Sequence, residues 1–152
     1  MKNIKPHARN LRKCRISETG RIYLITCVTD QRQPVFSQWN HGRLLVRVLM
    51  KEQRRAETLA YVVMPDHLHW LIQLKDSVKL GELVCTAKCV SSWQINRQIN
   101  RSGRLWQPGY HDHALRKEED LVATARYVIA NPLRAGLVKR IGDYPLWDAV
   151  WL

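Results

Sequence analysis

At 152 residues, 45% of them hydrophobic, the chain suits one globular domain with a real core. Its 25 Lys and Arg against 13 Asp and Glu leave a net charge of +12, which points to a polyanion partner, most often nucleic acid. No apolar run is long enough to cross a bilayer, and the opening MKNIKPHARNLRKC lacks an apolar signal core, so the expectation is a soluble, cytoplasmic, single domain over residues 1–152 with no membrane partner.

Residues 1–20 form a basic N-terminal segment. Residues 21–29 (RIYLITCVT) are β-rich and predict a strand. Residues 31–37 contain Pro34 and predict a connection. A helix is expected over 38–57, with Leu44, Leu45, Val48 and Leu49 on its apolar stripe and Arg43, Arg47, Lys51, Arg54 and Arg55 on its other side. Residues 59–64 predict a second strand, Pro65 and Asp66 a tight turn, and 67–74 a third strand. A long helix follows over 79–100, with a turn at 101–103. Residues 105–115 (LWQPGYHDHAL) predict a loop and a short strand. A helix spans 118–131, Gly136 marks the exit, and the tail, 140–152, which holds two tryptophans, is expected to dock on the body. The order β, α, β, β, α, β, α predicts an α+β fold. It fits a ferredoxin-like βαββαβ core, with two helices on one face of a mainly antiparallel sheet and a further helix after it.

The stretch YVVMPDHLHWLIQL, residues 61–74, carries the strongest chemical signal. Side chains alternate faces along a strand, so His67, His69, Leu71 and Gln73 share one face and Leu68, Trp70, Ile72 and Leu74 the other. Two imidazoles on one face of a rigid strand are a candidate metal pair; the competing reading is satisfied core histidines. A second His-x-His, His111-Asp112-His113, sits in polar, loop-like surroundings and reads as a surface or DNA-facing segment, with Tyr110 as a rival nucleophile.

On a helical wheel of the segment EEDLVATARYVIANP, Leu121, Val122, Val128, Ile129 and Pro132 fall within about 60° of Ala125 and form the core stripe. Tyr127 lies about 200° away, with Asn131 one turn later on the same side. The phenol and the carboxamide are thus placed to reach one locus; the alternative is a surface tyrosine without a task. If that locus is the His67/His69 face, an ion there gains an oxygen ligand from Asn131 and a nucleophile in Tyr127. A tyrosine activated beside an ion on a scissile phosphate displaces a 3′ oxygen and keeps a 5′-phosphotyrosine link. That link stores the bond energy for rejoining without ATP, which suits a chain that has no G-x-x-x-x-G-K-[ST] loop.

The four cysteines, Cys14, Cys27, Cys85 and Cys89, form no C-x-x-C, so a zinc ribbon or redox motif is not expected. A nucleobase deaminase is disfavoured, since no His-x-Glu accompanies a Cys-x-x-Cys. Arg43, Arg47, Arg54, Lys88, Arg97, Arg104 and Arg116 are candidates for phosphate contacts, which add affinity and salt dependence rather than sequence choice.

Three pieces, MPDHLHWLIQL, LWQPGYHDHALR and ARYVIANPLRAGLV in that order, resemble the REP-associated tyrosine transposases, single-tyrosine members of the HUH endonuclease superfamily. The likeness spans roughly residues 21–138. It implies a ferredoxin-like core whose central strands carry the two histidines. It also implies Mg²⁺ or Mn²⁺, and a single-stranded DNA substrate folded into an imperfect (REP-like) hairpin with a short 5′ flank. His67 and His69 match the HUH histidines, Tyr127 the nucleophile, and Asn131 the residue completing the metal shell. Arg12, Lys13 and Arg15 stand where the family reads bases beside the hairpin, and a monomer is implied rather than a dimer. The alternatives are a hairpin-binding protein that no longer cuts, and a metallohydrolase in which Tyr127 is structural.

Overall fold

The computed structural model describes residues 20–116 and 119–151. Arg12, Lys13 and Arg15 lie outside the described residues. Five strands, β1 (Ile22–Val28), β2 (Ala56–Met64), β3 (His67–Leu74), β4 (His111–Ala114) and β5 (Trp147–Ala149), form one sheet in the order β4-β1-β3-β2-β5. Every neighbouring pair is antiparallel. The first four strands, with helices α1 (Trp39–Lys51) and α2 (Leu80–Gln98), make the expected βαββαβ arrangement. Helix α3 (Glu119–Ile129) and a short α4 (Asn131–Arg134) follow before β5 closes the outer edge of β2.

Alternation along the strands builds two layers. Tyr23, Ile25 and Cys27 of β1 and Leu68, Trp70, Ile72 and Leu74 of β3 are buried with Leu45, Val48 and Leu49 of α1 and Leu83, Val84 and Ala87 of α2. On the opposite face Leu71 is buried with Ala125 and Ile129 of α3 and with Leu59, Ala60 and Ala149. That second face also carries His67 and His69. The sheet therefore has two helices on one side, as expected, and the tyrosine-bearing helix on the histidine side.

Three boundaries differ from the sequence reading. The first helix stops at Lys51, not 57; a 3-10 turn over Glu52–Arg54 follows and β2 begins at Ala56. The reason is a polar latch: Arg55 donates to Glu52 (3.1 Å), which is buried, and to Thr86 on α2 (3.1 Å). Freed early, the chain pairs along the whole of β3, from Ala56 opposite Leu74 to Met64 opposite His67, with a bulge at Leu59. The late helix breaks at Ala130 because Pro132 has no N–H for the helical ladder and disfavours helical geometry before it. Val122 is exposed rather than core: α3 leans toward its Val128 flank, which joins the main core, and Val122 sits on the far rim of the stripe.

The tail docks as expected, and as a strand. Val63 N–H donates to the Leu146 carbonyl (2.8 Å), and the Tyr144 hydroxyl donates to the Val63 carbonyl. Leu146 fills the space over Gly42 of α1, where a Cβ would come within 2.3 Å of its methyl carbon.

Candidate active site

The hairpin that presents the histidines is clamped at its turn. Thr29 donates both its backbone N–H (2.9 Å) and its hydroxyl (3.0 Å) to the Asp66 carbonyl, and Phe36 N–H donates to the Pro65 carbonyl (3.0 Å). On the far face the Trp70 indole N–H donates to the Thr58 hydroxyl (2.9 Å), which fixes β3 against β2 beneath the histidines. A residue between two paired strands, with its backbone committed on both sides, has little freedom to move.

Each histidine is oriented by a partner on Nδ1. His67 Nδ1 lies 2.7 Å from Asp66 Oδ1, and the other oxygen of that carboxylate accepts from Arg32 (3.1 Å). His69 Nδ1 lies 2.9 Å from the Thr26 hydroxyl, across the strand pair that sets Thr26 opposite His69. Among the described residues neither Nε2 has a hydrogen-bond partner, the arrangement in which a metal-binding histidine is held by its second nitrogen. The rings meet edge to face with centroids 4.9 Å apart.

Electrostatics keep His69 in a ligand-ready form. Burial pushes the His69 pKa down to about 4, helped by the charges of His67 and Arg134, so its ring is neutral at neutral pH. For Asp66, burial works upward, but its hydrogen bonds and charge interactions with His67 and Arg32 outweigh it and hold the carboxyl below its ordinary value. Among the described residues no group of three or more His, Cys, Asp or Glu side chains comes together to hold an ion. An ion held by the two imidazoles would need oxygen donors from outside the pair, a mixed donor set that divalent cations accept.

Tyr127 is 59% exposed on the outer side of α3, as the wheel requires. The Arg134 guanidinium lies 3.8 Å from its ring centroid. The same guanidinium is close enough to His69 to depress its pKa, so one cation links the tyrosine with the histidine side of the sheet. Sequence reasoning missed Arg134. The signal was present: a seven-residue spacing is almost two full helical turns, which returns Arg134 to the azimuth of Tyr127. A two-bond cap fixes the chain just after it. Gly136 N–H donates to the Leu133 carbonyl (3.0 Å) and Leu137 N–H to the Pro132 carbonyl (3.0 Å), with Gly136 at φ 70°. Asn131, half-buried, opens α4.

The second His-x-His occupies β4, which pairs with β1 so that His111 faces Thr26 and His113 faces Leu24. Both are exposed, and they lie on the same sheet face as His67 and His69, one strand further out. The basic candidates scatter. Arg43, Arg47 and Arg54 project to solvent from α1 and the turn after it, in the layer away from the histidines. Arg97 and Arg104 are exposed near the end of α2, and Arg116 just after β4. Lys88 turns inward and donates to the carbonyls of Gln107 (2.7 Å) and Gly109 (2.5 Å).

Comparison with known proteins agrees with the fold. Residues 18–131 match the sequence model of the family described as "Transposase IS200 like". A REP-associated tyrosine transposase of Escherichia coli K12 is 28% identical over 102 residues, and a Haemophilus influenzae protein assigned to the same class is 29% identical over 99. These alignments cover 64% and 59% of this chain but only 57% and 56% of the relatives' own lengths. Among solved structures, a REP-associated tyrosine transposase bound to a REP hairpin superposes with a TM-score of 0.70 at 23% identity, covering 88% of this chain and 79% of that one. A Deinococcus radiodurans protein assigned as a transposase gives 0.53 at 19% identity, covering 76% of this chain and 95% of that one.

Proposed function

This chain belongs to the IS200-like transposase family, and on that premise we propose that it cuts and rejoins single-stranded DNA at hairpin-forming repeats through a 5′-phosphotyrosine intermediate. The observation that carries the reading is the paired histidine geometry: two imidazoles on one clamped strand, each held by Nδ1, each with Nε2 left over. The hairpin substrate is supported by the +12 charge and by the hairpin named for the structural neighbour.

In this reading His67, His69 and Asn131 hold a divalent cation, Mg²⁺ or Mn²⁺. When bound, that cation supplies charge neutralisation at the scissile phosphate. The chain's own groups do the rest. The Tyr127 hydroxyl attacks phosphorus; the new bond is Oη–P and the bond that breaks is P–O3′. The phenolic proton leaves to solvent and the departing 3′ oxygen takes one up. Arg134, stacked on the ring, places a fixed positive charge beside the phosphate's path and restrains the phenol for attack. Neutral His69 keeps its Nε2 lone pair available at physiological pH.

The test is incubation of the protein and its Tyr127→Phe variant with end-labelled DNA hairpins and Mn²⁺, followed by a denaturing gel. The wild-type chain should carry a labelled strand through denaturation, and Tyr127→Phe should bind the hairpin yet carry none. Binding without an adduct in the wild type would leave a hairpin-binding protein. Normal cutting by Tyr127→Phe would leave a hydrolase in which the tyrosine is structural.

A further inference from the structure

On the side of the sheet away from the histidines, a groove runs beside α2, between that helix and the loop of residues 104–110. One stretch, of about 240 Å³, is bordered by Gly81, Cys85 and Tyr110; the next, of about 360 Å³ and wide open to solvent, by Trp93, Arg104 and Trp106. Lys88 and Cys89 border both, so the two lie side by side along the helix. From Gly81 to Trp93 the helix rises about 18 Å. The walls are rigid. Lys88 ties the loop to the helix through two carbonyls, and the Trp106 indole N–H donates to the Ser91 hydroxyl (3.0 Å).

Trp93 is the feature without a task. It is 61% exposed, as Trp39, Tyr127 and Trp151 also are in large part, while its neighbour in the groove, Trp106, is buried. The Arg97 guanidinium lies 5.1 Å from its ring centroid, one turn further along the helix. Arg104, also exposed, borders the same stretch. Among the described residues no carboxylate lines either stretch. A flat exposed ring beside cations, in a chain of net charge +12, suits a ligand that is flat and anionic at once. Unpaired nucleotides are such a ligand: the base stacks on the ring and the phosphates meet the guanidinium groups.

We infer that this groove holds a few unpaired nucleotides of a single strand, with one base stacked on Trp93 and the backbone along Arg97 and Arg104. The inference rests on the DNA-binding part of the proposed function and gives the unpaired flank of the substrate a place remote from the histidines. It needs no cutting.

The experiment is a set of anisotropy titrations, without metal, of three labelled DNAs: an oligothymidylate, a blunt hairpin, and the same hairpin with an unpaired thymidine extension. Trp93→Ala should weaken the oligothymidylate and the extended hairpin by about tenfold, the loss expected for one stacked base, and Trp93→Phe should restore most of it. The blunt hairpin should change less than about twofold, as for a surface substitution outside its contacts. Cys85 and Cys89, both exposed, should also become slower to alkylate with maleimide when the oligothymidylate is bound, while buried Cys27 stays unreactive throughout. Equal losses on blunt and extended hairpins, no loss on either, or unchanged alkylation would overturn the groove as a strand site. So would displacement of the oligothymidylate by an acidic peptide at lower concentration than by a second single strand. If the oligothymidylate binds in a Trp93-dependent way but no Mn²⁺-dependent adduct forms on any hairpin, the catalytic reading fails and the groove stands.

Discussion

His67 and His69 on β3, and His111 and His113 on β4, repeat one spacing on one face of one sheet, yet their surroundings share little. β3 is paired on both sides; β4 is an edge strand paired only with β1. The central pair is half-buried and each Nδ1 has a partner, Asp66 or Thr26. The edge pair is exposed and, among the described residues, neither ring has a hydrogen-bond partner. Thr26 sits between the two sets, opposite His69 on one side and His111 on the other, so their backbones stand about 10 Å apart, two strand spacings. Spacing sets which face a side chain takes. Burial and the bond on the second nitrogen decide whether it is held in place, and a held ligand costs less to organise around an ion.

The strongest way to break this comparison is to delete each pair. The double variant His67→Ala, His69→Ala should lose Mn²⁺-dependent adduct formation by about 10³-fold, since it removes both imidazoles that would fix the cation. Adduct rate on the labelled hairpin, with far-UV circular dichroism to confirm folding, is the measurement. A double variant that still cuts well would transfer the metal role elsewhere on the sheet. Removing the anchors and keeping the ligands should cost less. Thr26→Val and Asp66→Asn should each shift the Mn²⁺ midpoint of adduct formation by about 10- to 100-fold, with the plateau partly kept. An unmoved midpoint in both would mean that the Nδ1 contacts do not orient the pair.

Much of this contrast was legible in the sequence, and the remainder was not for physical reasons. Period-two alternation placed His67 and His69 opposite Leu68, Trp70 and Ile72, and the β3 limits came out correctly because Pro65 and Asp66 mark the turn. The wheel put Tyr127 outside and Ala125 inside. The early end of α1 was invisible because it depends on Arg55 reaching Thr86, far along the chain. Arg134 was overlooked because the wheel stopped at Pro132. The anchor Thr26 and the shared face of the second His-x-His were out of reach, because cross-strand neighbours follow from register, and no local pattern sets the register of strands so far apart in sequence; Asp66 adjoins His67 and was read only as a turn residue.

Acid should separate the two pairs by stability. The folded His69 pKa, about 4, lies below its ordinary 6.5, so the unfolded chain binds the proton more readily in between. The stabilising contribution of neutral His69 is present above pH 6.5 and is lost as the pH falls through that window toward 4. Melting temperature should therefore fall by a few degrees across it in the wild type. It should fall less in His69→Leu, and as in the wild type in His113→Leu. Parallel curves for all three proteins would show that burial of His69 leaves no trace in the folding equilibrium.

The smallest effect is expected at the edge. Substituting exposed side chains that lack partners changes stability by about 0.5 kcal/mol or less, and His111→Ala with His113→Ala should leave the melting temperature within about 2 °C and the adduct rate within about twofold of the wild type. The sheet gives a reason to measure it carefully. His111 shares the cross-strand row of Thr26 and His69, and a small cleft bordered by Thr26, Gln107 and His111 opens beside that row. A strand lying over the central pair and continuing outward would cross β4. A loss at the edge well beyond twofold, with the Mn²⁺ midpoint unchanged, would mean that the outer histidines contact the DNA next to the cut. A loss accompanied by a shifted midpoint would instead make the four histidines one site, and the distinction between an anchored and an unanchored pair would lose its force.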